Sequence, residues 1–334
     1  MKNDNEQVSN LIQSKNLMIK VADFYYNHSL SQQEIASILD ISTSTVSRLL
    51  HQARSKKIVQ ITLDPVCLEC ITLEGKIREQ YDLKEVIVAP LSENSIDERN
   101  IYGTDTVSLE AARFLQRIIK DGMTIGVSWG GTVATAISLL NPCQRSSTSF
   151  ATLTGGFSSY TFLYETNELV TLMSRVFNGE RHIITSDAYQ LDDSAMKYTM
   201  CLENVKSVFS LYDKIDVSVC GVGSLYPKLD SGTARYNLLP NNYLPNLVEE
   251  HSPYGDIVCR FFDQNGHECD DYLRDHTVAI PFEKYKKIPM KIVVTSGYWK
   301  AETLKALLKG GLADVLIIDQ LLARRLIETT DAIT

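Results

Sequence analysis

The amino-acid sequence predicts two units of different class. A winged helix-turn-helix occupies residues 1–64, and a large α/β unit with a Rossmann-like, mostly parallel sheet occupies 85–334, joined by a linker helix over 65–84. Three observations predict this. Apolar residues recur at helical spacing between capping signals at the start of the chain. Strand-like and helix-like runs alternate from residue 85 onward. Charge is divided unevenly between the two parts.

The 334 residues leave room for two domains, and 44% apolar with 22% charged residues is an ordinary globular balance that excludes wholesale disorder. No apolar run approaches the roughly 20 residues of a membrane helix, and the first residues are polar, so no membrane partner is expected. Seven cysteines, an odd number without an export signal, fit reduced thiols in a cytoplasm. Cys67 and Cys70 stand in C-x-x-C spacing, but no second pair completes a zinc site. Neither metal nor cofactor is expected.

The formal net charge is −8, yet residues 1–64 carry seven Lys and Arg against six acids. Between Ile41 and Thr62 there is no acid, only Arg48, Arg54, Lys56 and Lys57 beside His51. A cationic strip on an acidic molecule can meet phosphates while the rest avoids nonspecific contact.

Leu17, Met18, Val21, Ala22 and Tyr25 predict a helix over 11–27. Ser31-Gln32-Gln33-Glu34 is a capping box that starts a second helix with Ile35, Ile38 and Leu39 inward. Ser42 then caps a third helix that buries Val46, Leu49 and Leu50. Two short helices joined by a tight turn make a helix-turn-helix, whose second helix reads base edges from its first turns. The expected DNA contacts are Gln32, Ser42, Thr43, Ser44, Thr45, Ser47 and Arg48, with Lys56 and Lys57 on a β-wing formed by the alternating run Lys56–Leu63.

In the larger part, strands are expected at 85–89, 123–127, 149–153, 181–184, 215–220, 256–262, 277–281, 291–295 and 314–318. Helices are expected at 97–120, 131–140, 165–177, 194–211, 240–250, 299–309 and 319–328. Ligands of such sheets sit beyond the carboxyl ends of strands, where glycine lets backbone approach closely. Three loops have that form: Gly126–Thr132, Thr154-Gly155-Gly156, and Gly221-Val222-Gly223-Ser224. Their amides suit an anion. The first loop also spells G-x-S-x-G, a nucleophile elbow around Ser128, with Asp263 and His276 or Asp256 and His267 in hydrolase order. With six histidines and 41 acids that order arises easily by chance, and no well-marked acid/base pair accompanies the loops. His182, beside Ile183-Ile184, reads as core. The site is therefore read as binding rather than catalytic.

Over nearly its whole length the chain resembles the sorbitol-operon regulator (SorC) family of bacterial transcription factors. The stretches that carry the resemblance are Ser31–Leu50, Gly126–Thr132, Asp216–Ser224, Gly255–Gly266 and Gly297–Asp319. The resemblance implies a domain related to sugar-phosphate isomerases and deaminases that binds an effector, typically a phosphorylated sugar, without turnover. It also implies dimers or tetramers on repeated operator half-sites. On matching positions, Ser128, Gly130, Gly131 and Thr132 with Thr154, Gly155 and Gly156 would cradle the effector, and Gly126, Gly221 and Gly223 complete the set. Asp263 would accept from sugar hydroxyls and Lys300 would pair with phosphate. The chain departs from the family at His251-Ser252-Pro253-Tyr254 and Ser296-Gly297-Tyr298-Trp299, both bulkier than usual. The expected function is an effector-responsive regulator, as a repressor, of a carbohydrate operon; the alternative is an isomerase- or deaminase-like enzyme fused to a helix-turn-helix.

Overall fold

Capping and helical periodicity organise the N-terminal unit. The computed structural model describes residues 15–61, 64–91, 104–143, 145, 147–157 and 165–328, and the chain divides between Asp64 and Pro65 into two compact units. In the first unit, α1 is described over residues 15–26, followed by α2 (Gln32–Leu39) and α3 (Thr43–Ser55); residues 11–14 of the expected first helix lie outside the described residues. Met18, Val21, Ile35, Val46, Leu49, Leu50 and Ala53 form its core. Ile38 was expected inward but is 56% exposed, and Ala36 is buried instead. The reason is angular: Ile35 and Leu39 set the face of α2, Ala36 falls to the packed side of it, and Ile38 to the other. Asp40 adopts a left-handed conformation (φ 54°) that lets Ile41 N–H return to the Ala36 carbonyl at 3.0 Å, making the tight turn.

The expected β-wing is a correction. Residues 56–61 hold no strand, and residues 62 and 63 lie outside the described residues. Lys57 is left-handed (φ 55°), and the amides of Ile58 and Val59 both return to the Ala53 carbonyl. Ile58 and Val59 then pack on the three-helix core, so the alternation that resembled a strand is a helix-end turn with an apolar tail.

The second unit begins with α4 (Pro65–Tyr81), which buries Cys70, Leu73 and Ile77. Its carboxylate Glu69 receives the Arg324 guanidinium at 2.6 Å. Seven parallel strands follow: β1 (Glu85–Ala89), β2 (Thr124–Val127), β3 (Ser149–Thr152), β4 (Glu180–His182), β5 (Val217–Cys220), β9 (Met290–Val294) and β10 (Val315–Asp319). Their order is β1-β10-β9-β5-β2-β3-β4. Both faces are apolar, as a parallel sheet covered on two sides requires. Val217, Val219, Ile125 and Ile317 face α5 (Thr104–Ile118), α6 (Gly131–Ser138) and α7 (Thr166–Phe177). Cys220, Val293, Leu316 and Ile318 face the opposite core, covered by α4, α9 (Glu203–Leu211), α14 (Ala301–Lys309) and α15 (Gln320–Glu328). After β2 the chain winds outward to β4; after β5 it winds the other way to β10. The strand order therefore reverses between β2 and β5, where α/β sheets open a crevice.

Three expected elements differ. The run 256–262 is a hairpin rather than one strand: β7 (Gly255–Ile257) and β8 (Arg260–Phe262) pair antiparallel, with β6 (Gly223–Ser224) on the outer side of β7. Residues 277–281 make only isolated bridges, Tyr189 to Thr277 and Thr154 to Ala279. The helix expected at 194–211 is α8 (Asp193–Cys201) and α9, broken by extended backbone at Leu202. Residues 97–103 of the helix expected at 97–120 lie outside the described residues. The remaining short helices are α10 (Gly232–Arg235), α11 (Leu244–His251), α12 (Asp271–Asp275) and α13 (Phe282–Tyr285). Among the described residues no helix is long and apolar enough to cross a membrane. None of the seven cysteines is in a disulfide.

Candidate functional site

Two surfaces carry chemistry, one in each unit. On the first, the capping box forms as its spacing requires: Glu34 N–H donates to Ser31 Oγ at 3.2 Å and Ser31 N–H to Glu34 Oε2 at 2.8 Å. Ser42 caps α3 through Thr45 N–H at 3.2 Å, and its hydroxyl also meets those of Ser44 (2.9 Å) and Thr45 (2.8 Å). Ser42 and Thr45 therefore shape the helix start, while Thr43, Ser44, Ser47 and Arg48 stand exposed along one side of α3. Gln32 is half-buried, and Lys56 and Lys57 are exposed on the turn that follows α3. Arg54, at the far end of α3, donates to the Tyr26 hydroxyl at 2.7 Å and so braces α3 on α1.

The second surface is a cavity of about 380 Å³ at the carboxyl ends of β2, β5 and β9, where the strand order reverses. Ser128, Gly130, Gly131, Thr132, Gly221, Gly223 and Lys300 all line it. Gly130 has φ 146°, a conformation that favours glycine, and it starts α6 without any side-chain cap. The first amides of α6 are thereby left free of a capping side chain at the cavity wall. A Cβ on Gly131 would meet nothing within 4 Å, so this position opens directly on the space.

Five expected site residues are not in that wall. Gly126 packs under Leu153, whose Cδ2 would lie 2.6 Å from an added Cβ. Thr154 shares its hydroxyl with Thr166 at 3.2 Å and is fully buried. Gly155 and Gly156 spend their amides on the Val278 and Ser186 carbonyls at 2.8 and 2.9 Å. Asp263 organises the turn after β8, accepting from the amides of Asn265 (2.8 Å) and His267 (2.9 Å). The hydrolase order is not assembled either. Among the described residues no histidine lines the cavity; His276 faces Asp193 at 3.1 Å, and His267 faces Asp263.

Sequence reasoning missed Asp230 and Arg235, named Trp129 only within the first glycine loop and took Asp256 only as a hydrolase-order acid; all four line the cavity. Lys300 Nζ donates to the Val222 carbonyl at 3.1 Å and Thr295 Oγ1 at 3.2 Å, and lies 3.4 Å from Asp230 Oδ2. Asp230 also receives Arg235 at 3.0 Å and Trp299 Nε1 at 3.2 Å. Burial pulls the Lys300 pKa down, and the carboxylates of Asp230, Asp256 and Asp319 work against it. Asp256 is 4% exposed, and burial pushes its pKa up to about 6, with the Ser231 hydroxyl, the Lys300 charge and the Thr233 hydroxyl opposing the rise. Its carboxyl rests on Gly223, where a Cβ would sit 2.1 Å from Oδ1. The signal for Gly223 was thus read correctly as close approach, but the group approaching is a side chain of this protein. Similarly, Gly232 leaves room for the Trp129 ring, 2.6 Å from where its Cβ would be. Asp256 was singled out only as an acid in hydrolase order and within a family stretch, and Asp230 and Arg235 carried no local signal.

The profile of the "Putative sugar-binding domain" family matches residues 66–328, which contain the whole cavity. The sorbitol operon regulator of Klebsiella pneumoniae is 26% identical over 314 residues, covering 93% of this chain and 98% of its own. The chain belongs to the SorC family. As a SorC-family chain it is also similar to the deoxyribonucleoside regulator of Bacillus subtilis, 27% identical over 94% of this chain and 98% of the relative. The full-length crystal structure of the Klebsiella regulator superposes with a TM-score of 0.68 at 26% identity, covering 92% of this chain and 97% of that one. A transcriptional regulator from Streptococcus pneumoniae gives a TM-score of 0.71 at 25% identity, covering 79% of this chain and 98% of that one. In the first unit, the Sigma-70 region 4 profile matches residues 21–56, the span of the helix-turn-helix.

Proposed function

We propose that this protein is a transcriptional regulator of a carbohydrate operon in which a sugar, phosphorylated in the preferred form, binds the cavity at the strand-order reversal and changes the grip of α3 on operator DNA. The observation that carries the reading is the composition of that cavity. Uncapped amides of α6 and the Lys300 and Arg235 cations offer donors to an anion, while Asp230 and Asp256 offer acceptors to hydroxyls. A phosphorylated polyol presents both partners at once. The phosphate must then compete with Asp230 for Lys300, so part of its binding energy is set against an existing ion pair.

On the DNA side, Thr43, Ser44, Ser47 and Arg48 would read base edges, and Ser42, Thr45 and Gln32 would hold the helix and the nearby backbone in place. Lys56 and Lys57 would contact phosphates from the turn rather than from a wing. A homo-oligomer places two such helices on half-sites about 10 bp or a multiple apart. We take the protein as a cytoplasmic repressor released by its effector, and as a binder rather than a catalyst. A thermal-shift screen of sugars and sugar phosphates tests the reading: a ligand at 100 times its dissociation constant adds about 2.7 kcal/mol. Stabilisation by a sugar phosphate above its free sugar supports it. Turnover of that compound, or no stabilisation by any member, contradicts it.

A further inference from the structure

The β7–β8 hairpin turns in two residues, Val258 and Cys259, with Ile257 paired to Arg260 across it. Both turn residues are left-handed, with φ 50° and 61°. That geometry matches the twist of a two-residue hairpin, but Asn-Gly is the usual choice for it. A β-branched residue at positive φ is an outlier that persists only where its surroundings hold it. Here they do. The Tyr189 hydroxyl donates to the Cys259 carbonyl at 2.9 Å, and Arg260 donates to the Ile280 and Ala279 carbonyls at 2.7 and 3.1 Å. Asparagine or glycine at 258 would relieve the backbone, yet a branched apolar residue stands there, both in the hydrophobic core and on the border of the cavity. Val258 is 2% exposed and borders the same space as Asp256 and Lys300.

We propose that Val258 determines specificity for the effector: its isopropyl group packs on an effector carbon that bears no hydroxyl and disfavours the same ligand with a hydroxyl there. This rests on the reading of the cavity as a sugar site. A hydroxyl turned against the valine methyls would lose its hydrogen bonds to water and find no acceptor on that side chain. A rigid turn makes the wall selective, because it does not yield to the larger ligand.

The test uses the full-length chain and matched pairs: glucose and 2-deoxyglucose, each free and as the 6-phosphate; galactose and 6-deoxygalactose; ribose 5-phosphate and 2-deoxyribose 5-phosphate. Calorimetry gives each affinity for the wild type and for Val258→Thr, which keeps the branching and backbone preference and exchanges one methyl for a hydroxyl. The wild type should favour the deoxy member of at least one pair about tenfold or more, and Val258→Thr should shrink that ratio to about threefold or less. If Val258→Thr does not fold, Val258→Ala widens the wall and should raise the relative affinity of the hydroxylated member. Wild-type ratios retained in every pair by the folded variant overturn the proposal. So does an equal loss of affinity for both members with a lower melting temperature, which is the signature of packing alone. Failure of the wild type to bind any member overturns the sugar-site reading and this inference together, whereas binding with unchanged ratios overturns only the inference.

Discussion

The loops after β2 and β3 look alike in sequence, Trp129-Gly130-Gly131-Thr132 against Thr154-Gly155-Gly156-Phe157, yet they do opposite things. The first starts a helix without a capping side chain and borders the cavity, with open space where a Gly131 side chain would go. The second is consumed by the protein itself: Gly155 lies so close to Ser186 and Ala188 that an added Cβ would sit 2.7 and 2.8 Å from their backbone atoms. Position relative to the strand-order reversal explains the difference. β2 borders the reversal at β5, and β3 is one strand further out, where bridges to Ala279 and Asp187 close over the loop. A glycine pair beyond a strand therefore marks close approach, and the topology decides whether a ligand or the chain itself approaches.

Substitutions break or sharpen this contrast. Lys300→Ala should have the largest effect, about 3 kcal/mol of stability in denaturant titration, because it leaves the largely buried Asp230 carboxylate short of one cation. It should also cost more affinity for a sugar phosphate than for the free sugar; equal losses would remove Lys300 from the phosphate subsite. Gly155→Ala should cost about 2–3 kcal/mol by overpacking against backbone that cannot yield. Gly131→Ala should stay within about 1 kcal/mol of wild type while weakening effector binding about tenfold or more. The reverse pattern would undo the contrast between the two loops.

Asp256 adds a pH dependence. Its folded-state pKa of about 6 lies above the ordinary 3.8, so the folded protein holds this proton more tightly than the unfolded chain does. The corresponding stabilisation is complete below about pH 4 and is lost as pH rises through about 6. Asp256→Asn should remove a swing on the order of 2 kcal/mol between pH 4 and pH 7, seen by chemical denaturation at several pH values. A parallel curve for the variant would show that the carboxyl does not titrate there. The smallest stability effect is expected at Arg48→Ala: within about 0.5 kcal/mol by melting, since the side chain is exposed. DNA affinity, measured on the operon's own promoter fragment, should nonetheless fall, by about 1–3 kcal/mol if Arg48 reads a base.

Legibility followed the range of the interactions. The capping box at Ser31 and Glu34, the Ser42 cap and the α3 face are set by residues within four positions of one another, and all could be read directly. The inner parallel strands β5, β9 and β10 were legible because both their faces are almost wholly buried, whereas the edge strand β4, Glu180-Arg181-His182, is mostly exposed. The wing was misread because Val59, Ile61 and Leu63 alternate with Gln60 and Thr62 as a strand would, although Ile58 and Val59 fold back on the three-helix core. The 256–262 hairpin was unreadable because Val258-Cys259 lacks any Asn-Gly turn signature. Asp230 could not be found locally, since what makes it a site residue is an ion pair with Lys300 some 70 residues away in sequence, which only the fold brings together, and Arg235 joins the site through its own pair with Asp230.

The account stands on communication between the two units, and one measurement addresses it most directly: fluorescence anisotropy of labelled promoter DNA titrated with the full-length protein, with and without the sugar phosphate found by thermal shift. Wild-type protein should change its DNA affinity about tenfold or more when the cavity is saturated, a coupling of about 1.4 kcal/mol. Gly131→Ala should need about tenfold or more ligand to reach the same change. Equal DNA affinity with and without ligand, at concentrations where calorimetry shows the cavity filled, would contradict the account.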